Sequence, residues 1–478
     1  MAPTVSENIR SRLASVGSIM TKGSAEHFLA IAFAFARTAL CAWRAGHQSI
    51  IHDEAFSFFR FIDGPWSSLW SPYQAANHVL YSFLAKLSVA LFGLSELTLR
   101  LPSVLAGFFF TWGVFRVLES CESRLIRWIA YLAIGLHPLL MDFSTAARGY
   151  GLGVALLVWA VHASLHGRPI RSGFLLGLGI AANLTIVFPA TGLIAAHFLL
   201  AAKHRIRDTA AMAGVAAGLA TAICYVPFRS ATRVNFYAGQ NFLPDSLFTL
   251  ISTSIRASQR VGLFGTREAA LFIGTWIVPV VALFWVVIWA REWRKGALSG
   301  KLKVPLALAL TVVSLMAAHF LFKVNYPTDR TGLYLVPLAG ITWAATADIL
   351  GNRSLRAMSV VVACVLLVQF ATQVQFRYFE VWWFNSAIKD IAQQLRQETR
   401  ERPAQSVSLS TNFTQQPVLE FYRIHCRIAA LKPVQRQEHA DFTGHDFYVL
   451  TGPETGTMEA ARLTVLFSDP VSGVVLAR

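Results

Sequence analysis

Apolar residues run along this chain in long blocks separated by short polar connectors. Blocks of membrane-spanning length, which need about 20 residues each, occupy 26–46, 98–118, 126–141, 150–166, 173–187, 189–202, 209–228, 269–290, 304–323, 331–349 and 357–375, and one more apolar helix covers 77–93. The break between 173–187 and 189–202 is placed at Pro189. Past residue 376 the pattern changes. A polar helix is predicted near 385–399, then strand-like runs at 405–410, 427–432, 446–451 and 463–468, with a helix at 415–423 between strands. That alternation predicts a small α/β domain.

Composition agrees with the blocks. The 478 residues are 55% hydrophobic and only 14% charged, against about 25% charged for a soluble protein; mean hydropathy is +0.49. The net charge of +16 would suggest nucleic acid in a soluble chain. Here the basic residues cluster between the apolar blocks: Arg124 and Arg127; Arg168 and Arg171; Lys203, Arg205 and Arg207; Arg291, Arg294, Lys295, Lys301 and Lys303; Arg353 and Arg356, with Arg10, Arg12 and Lys22 ahead of the first block. This is the positive-inside pattern, and no nucleic-acid partner is expected. Every basic cluster falls on the cytoplasmic side only if 77–93 does not cross. The count is then about eleven spans, with the N-terminus inside and the C-terminus outside. The expected organisation is a cytoplasmic segment 1–25, a transmembrane domain 26–375 whose first outer loop, 47–97, carries juxtamembrane helices, and an extracytoplasmic α/β domain 376–478. A second outer loop, 229–268, carries an interfacial helix at 242–260. The five cysteines have no metal-ligand spacing and imply no disulfide.

Four clusters carry candidate chemistry. Asp53 and Glu54 directly follow the first span in an acid-poor chain, among His52, Phe56, Phe58 and Phe59. A partly buried carboxylate there can serve as a general base; the alternative is a wet interfacial pair or a helix cap. His78, with Asn77, Tyr81 and Lys86, opens the 77–93 helix and either binds a phosphate or hydroxyl or satisfies backbone groups. Asp142, Arg148 and Tyr150 lie between two spans, where Arg148 either binds a phosphate or neutralises Asp142. Lys323, Tyr326, Asp329, Arg330 and Tyr334 put positive charge on the outer face, against the topology rule, and so ask for an anionic partner. Arg229, Arg233, Arg256 and Arg260 in the second outer loop share this feature, as headgroup contacts. Arg37 and Arg44, inside the first span, are expected to be paired or snorkelling.

The order of these features resembles the polyprenyl-phosphate-dependent glycosyltransferases of the C-type fold, a group that includes protein O-mannosyltransferases and lipid A aminoarabinose transferases. The sequence DEA after the first span, NHVLYSFLAKLSVALFGLSELTLRLPSVLAG, FSTAARGYGL and YPTDRTGLYLVPL are similar to that family's blocks, over roughly residues 30–340. The resemblance implies an inverting sugar transfer from a polyprenyl-phosphate donor to an extracytoplasmic lipid, polysaccharide or protein acceptor at a bacterial inner membrane. Asp53 would be the catalytic base, with Glu54 beside it, either of them helping to hold a divalent cation (Mg, Mn or Zn). His78, Asp142, Arg148, Tyr150, Lys323, Arg330 and Tyr334 would line the substrate and phosphate site. The chain departs from the family at Ala146, where a Glu is common, and around His78, which Asn77 precedes and Val79 follows. A lipid flippase or transporter is the competing reading, although the internal repeats and midplane helix breaks usual in transporters are not evident.

Overall fold

The structure, a computed structural model, describes residues 5–200, 204–230, 239–255, 267–294, 300–350, 352–458 and 461–478; side chains are described from residue 25 onward, except at 267, 269 and 453. It is a helical bundle with a small sheet domain at one end. Among the described residues six helical stretches are long and apolar enough to cross a membrane: Ala25–His47, Glu96–Leu118, Arg205–Ser230, Ala270–Arg294, Gly300–Phe322 and Arg353–Thr372. Shorter apolar helices at Val79–Phe92, Gly149–Leu165, Pro169–Ala182, Leu184–Leu200 and Leu335–Ile349 fill the space among them.

The elements that position the site come early in the chain. Helix α1 (Val5–His47) ends just before the short α2 (His52–Ser57). A π-turn at Phe58–Ile62 and a 3-10 turn at Trp66–Trp70 lead to α3 (Val79–Phe92). Helix α4 (Glu96–Leu118) starts at a capping box in which the Ser95 hydroxyl accepts from the Thr98 N–H and the Thr98 hydroxyl accepts from the Ser95 N–H, closing two free helix-end donors. The apolar block 126–141 is not one helix. It divides into α5 (Arg124–Gly135) and α6 (Pro138–Phe143) because a residue before proline, here His137, is kept out of the helical region. A short turn then leads into α7 (Gly149–Leu165).

The next break also differs from expectation. Helix α8 (Pro169–Ala182) stops at Asn183, not at Pro189. The Asn183 side chain accepts from the Thr185 N–H, which starts a 3-10 turn. Pro189 instead sits in the first turn of α9 (Val187–Leu200), where its missing N–H costs nothing. Helix α10 (Arg205–Ser230) lies along α8, with Gly173 against the Met212 backbone. Small residues permit such backbone approach inside a membrane. In the second outer loop α11 (Leu243–Ile255) takes the place of the expected 242–260 helix, while Arg233, Arg256 and Arg260 lie outside the described residues. Helices α12 (Arg267–Phe272), α13 (Val278–Arg294), α14 (Lys303–Phe322), α15 (Leu335–Ile349) and α16 (Arg353–Thr372) complete the bundle. Gly192 of α9 sits against Ala307 and Thr311 of α14.

The terminal domain joins α17 (Ile388–Glu398) and α18 (Gln416–His425) to a four-stranded sheet of β1 (Leu409–Thr411), β2 (Phe447–Leu450), β3 (Val465–Ser468) and β4 (Val475–Ala477). The strand order is β1-β2-β4-β3. Strands β1 and β2 run parallel, with Leu409 beside Phe447; the other two pairings are antiparallel. The run 427–432 gives only a bridge, Val407 to Leu431, and β4 was not anticipated. The domain shares one apolar core with the first loop: Val407, Val418, Phe421, Val449 and Leu476 belong to the same cluster as Ile50, Ala55, Phe58 and Tyr81. The sheet domain is thereby seated on α2.

Candidate active site

Asp53 and Glu54 are neighbours in sequence but face different partners. Glu54 is fully buried and paired with Arg100 of α4, also fully buried. Its two oxygens accept from Arg100 Nε at 2.9 Å and Nη2 at 2.6 Å, from the Ile51 N–H at 3.0 Å, and from the Ala147 N–H. Arg100 donates its remaining N–H groups to the carbonyls of Ala45, Gln48 and Ser49 at the end of α1, the carbonyls that a helix C-terminus leaves unpaired. This corrects the expectation for Glu54, whose lone pairs are occupied by structural donors. As a pair, Asp53 and Glu54 do not fit a divalent cation, since one binds Arg100 and the other lies between two further arginines. Among the described residues no three His, Cys, Asp or Glu side chains gather as a ligand set.

The clamp leaves Asp53 partly accessible, with its side chain 22% exposed. Arg330 Nη2 stands 3.4 Å from Asp53 Oδ2, and Arg148 Nη2 stands 4.0 Å from the same oxygen. Burial pushes the Asp53 pKa up, but the Arg148 and Arg330 guanidiniums outweigh it and hold the carboxyl below its ordinary value. Arg148 is nearly buried. Its Nη1 donates to the Ser57 hydroxyl at 2.7 Å and to the carbonyls of Asp53 and Ala76 at 3.3 Å. The Nε atoms of Arg148 and Arg330 are buried without a hydrogen-bond partner among the described residues.

His78 caps α3, 6% exposed, with its ring 5.0 Å from the Tyr150 ring and its Nε2 buried and unpartnered among the described residues. Burial, then Arg148 and Arg330, lower its pKa well below the usual histidine value, so the ring is neutral at pH 7. Two glycines make this packing fit. A side chain at Gly149 would meet the Ala182 carbonyl and His78 itself, and one at Gly151 would meet the Phe143 carbonyl. Tyr150 also lies near enough to Arg330 to favour its charged form. The site therefore joins Asp53, His78, Arg148, Tyr150 and Arg330 from four separated segments.

Three expected members lie elsewhere. Asp142 is buried against Arg44 of α1 at 2.5 Å and accepts from the Glu380 N–H at 2.9 Å. It is thus the structural partner of Arg44, and Arg148 is released from neutralising it. Arg37, likewise buried, donates to the carbonyls of Gly135 and Leu140 and to the Ser144 hydroxyl. Lys323 is exposed in a left-handed cap at the end of α14 (φ 57°). Tyr334 is fully buried in the bundle core. One site neighbour is not among the residues singled out from the sequence: Trp382, 3% exposed, whose ring lies 5.2 Å from the Arg330 guanidinium carbon. Its position in an aromatic run was visible; its distance from Arg330 in space was not.

No protein-family model matches the chain, and no curated protein matches its sequence. Its likeness is in three dimensions. The aminoarabinose transferase ArnT from Cupriavidus metallidurans, bound to undecaprenyl phosphate, superposes with a TM-score of 0.56 at 12% identity, over 94% of this chain and 97% of that one. The same protein in its apo state gives 0.55 at 12% identity, over 95% and 98%. The oligosaccharyltransferase of Archaeoglobus fulgidus, in complex with Zn and sulfate, gives 0.52 at 12% identity, over 94% and 72%. The chain is a multi-pass membrane protein with the C-type glycosyltransferase fold that these structures share.

Proposed function

We propose that this chain is a membrane glycosyltransferase that moves a sugar from a polyprenyl-phosphate donor to an acceptor on the extracytoplasmic side of a bacterial inner membrane. The observation that carries the reading is Asp53 set between Arg148 and Arg330, two guanidiniums whose Nε groups are still without partners. A carboxylate poised beside unsatisfied, buried donors is a base next to an anion site. The fold shared with ArnT, which is bound there to undecaprenyl phosphate, supports a lipid phosphate as that anion. The basic connectors between spans support the orientation.

The chemistry follows from the charges. The acceptor's O–H or N–H lies against Asp53, which takes its proton as the acceptor atom attacks the anomeric carbon. The bond from that carbon to the phosphate oxygen breaks on the opposite face, so configuration inverts. The phosphodiester donor gains one negative charge as it becomes a polyprenyl monophosphate. Arg148 and Arg330 meet that charge as it forms, which stabilises the transition state more than the ground state. A bound phosphate also offsets the field of the two arginines on Asp53, raising its basicity when the proton must be taken.

The test is a panel of undecaprenyl-phosphate sugars offered to purified protein in nanodiscs. Asp53→Asn is expected to lower turnover by about 10²–10⁴-fold, the usual contribution of a general base, with donor affinity kept. Arg330→Ala is expected to weaken donor binding by about tenfold or more, as for a hydrogen bond to a charged group. Full turnover in Asp53→Asn refutes the assignment.

A further inference from the structure

Arg330 is held in an unusual way for a half-buried guanidinium. Its ion-pair contacts are long, 3.4 Å to Asp53 and 3.6 Å to Asp329, and its Nε has no partner among the described residues. What lies against it closely is the Trp382 ring, 5.2 Å from its central carbon. A guanidinium that rests its face on an aromatic ring keeps its in-plane N–H groups for other acceptors. The same Trp382 side chain also helps to hold the Asp53 carboxyl below its ordinary value.

The turn that carries Trp382 is pinned at both ends. At Glu380 its N–H donates to Asp142, which is itself paired with Arg44. At Asn385 the side-chain oxygen accepts from the His52 N–H at 2.8 Å, one residue before Asp53. Between these anchors Trp382 takes a non-helical backbone (φ −127°, ψ 35°) and packs edge-on against Phe143 at 5.6 Å and Phe379 at 6.4 Å.

We infer that Trp382 is a positioning residue, a platform that holds Arg330 beside Asp53 while leaving the Nε–H of Arg330, in the plane of the guanidinium, to bind an anionic phosphate. This rests on the functional reading above and adds a residue from the chain's terminal segment to it. The buried Asp142–Arg44 pair then acts at a distance, by fixing the turn on which the platform sits.

The experiment is a double-mutant cycle read by binding of undecaprenyl phosphate to the full chain in nanodiscs. Trp382→Leu is expected to weaken binding about tenfold, within the range of a desolvated cation–π contact. Trp382→Phe keeps the aromatic face and is expected to stay within about threefold of wild type. In an Arg330→Ala background, Trp382→Leu is expected to change binding by less than about twofold, because the group it supports is gone. Equal losses in both backgrounds would make Trp382 a general packing residue and overturn the inference, as would unchanged binding in Trp382→Leu. If wild type binds no undecaprenyl phosphate, the functional reading falls and the platform falls with it.

Discussion

The Glu54–Arg100 pair separates two accounts of the DE dipeptide. Every partner of the Glu54 carboxylate is a donor: two Arg100 nitrogens and the backbone N–H groups of Ile51 and Ala147. Glu54→Gln is nearly isosteric, yet its NH₂ must face a donor in either orientation, and Arg100 is left charged without a counter-ion at zero exposure. Breaking a buried pair from one side costs about 3–5 kcal/mol. Arg100→Met should cost a similar amount, by stranding the carboxylate and freeing the carbonyls of Ala45, Gln48 and Ser49. The double variant removes both charges, so its loss should fall short of the sum by about 1–3 kcal/mol. Melting of the four proteins in one detergent measures this, with donor hydrolysis in parallel. Were Glu54 a catalytic base, Glu54→Gln would abolish turnover with melting unchanged. That outcome, or strictly additive losses, would refute the clamp.

Two further outcomes follow from the geometry. Gly149→Ala puts a methyl group against the Ala182 carbonyl and within 2.7 Å of His78 Cβ, and overpacking of this kind costs about 1–3 kcal/mol. It should lower the melting temperature and weaken donor binding together, whereas Gly218→Ala, with open space around the added Cβ, should do neither. Asp53 has a depressed folded pKa, so its share of stability is present above the unfolded value of about 3.9 and is lost as pH falls through the lower folded value. The acid limb of kcat/KM, which reports the free enzyme, should therefore lie below the ordinary carboxylate range. Arg330→Gln should move it to higher pH, and an unmoved limb would count against the coupling.

The helical bundle was legible because lipid imposes a coarse rule. A run of about 20 apolar residues has few alternatives in hydrocarbon, and the spacing of basic connectors orders such runs. Where local chemistry competes, the reading slipped by a few residues. Pro189 was taken as the breaker, but proline is tolerated in a first helical turn, while Asn183 can accept from the N–H two residues on and end a helix actively. The strand at 475–477 was missed because it is short and ends the chain; its pairing with both β2 and β3 is what stabilises it.

Charge pairing was legible only as a set of candidates. Asp142 stands six residues before Arg148, and a local reading makes them partners or competitors. The fold instead gives Asp142 to Arg44, 98 residues away, and Glu54 to Arg100, 46 residues away. With Asp142 and Glu54 each committed to its own arginine, Arg148 and Arg330 converge on Asp53, the one carboxylate they share, and Arg330 has Asp329 as a second partner at 3.6 Å. A buried N–H left unpaired, as the Nε of both arginines is among the described residues, is costly unless a ligand completes it. The positive charge that runs against the topology rule in the sequence thus converges, in three dimensions, on one carboxylate. Neutralising either structural carboxylate, by Asp142→Asn or Glu54→Gln, should then damage the site through folding, whereas Asp53→Asn should leave the fold and its positive charge in place to bind phosphate without turning it over.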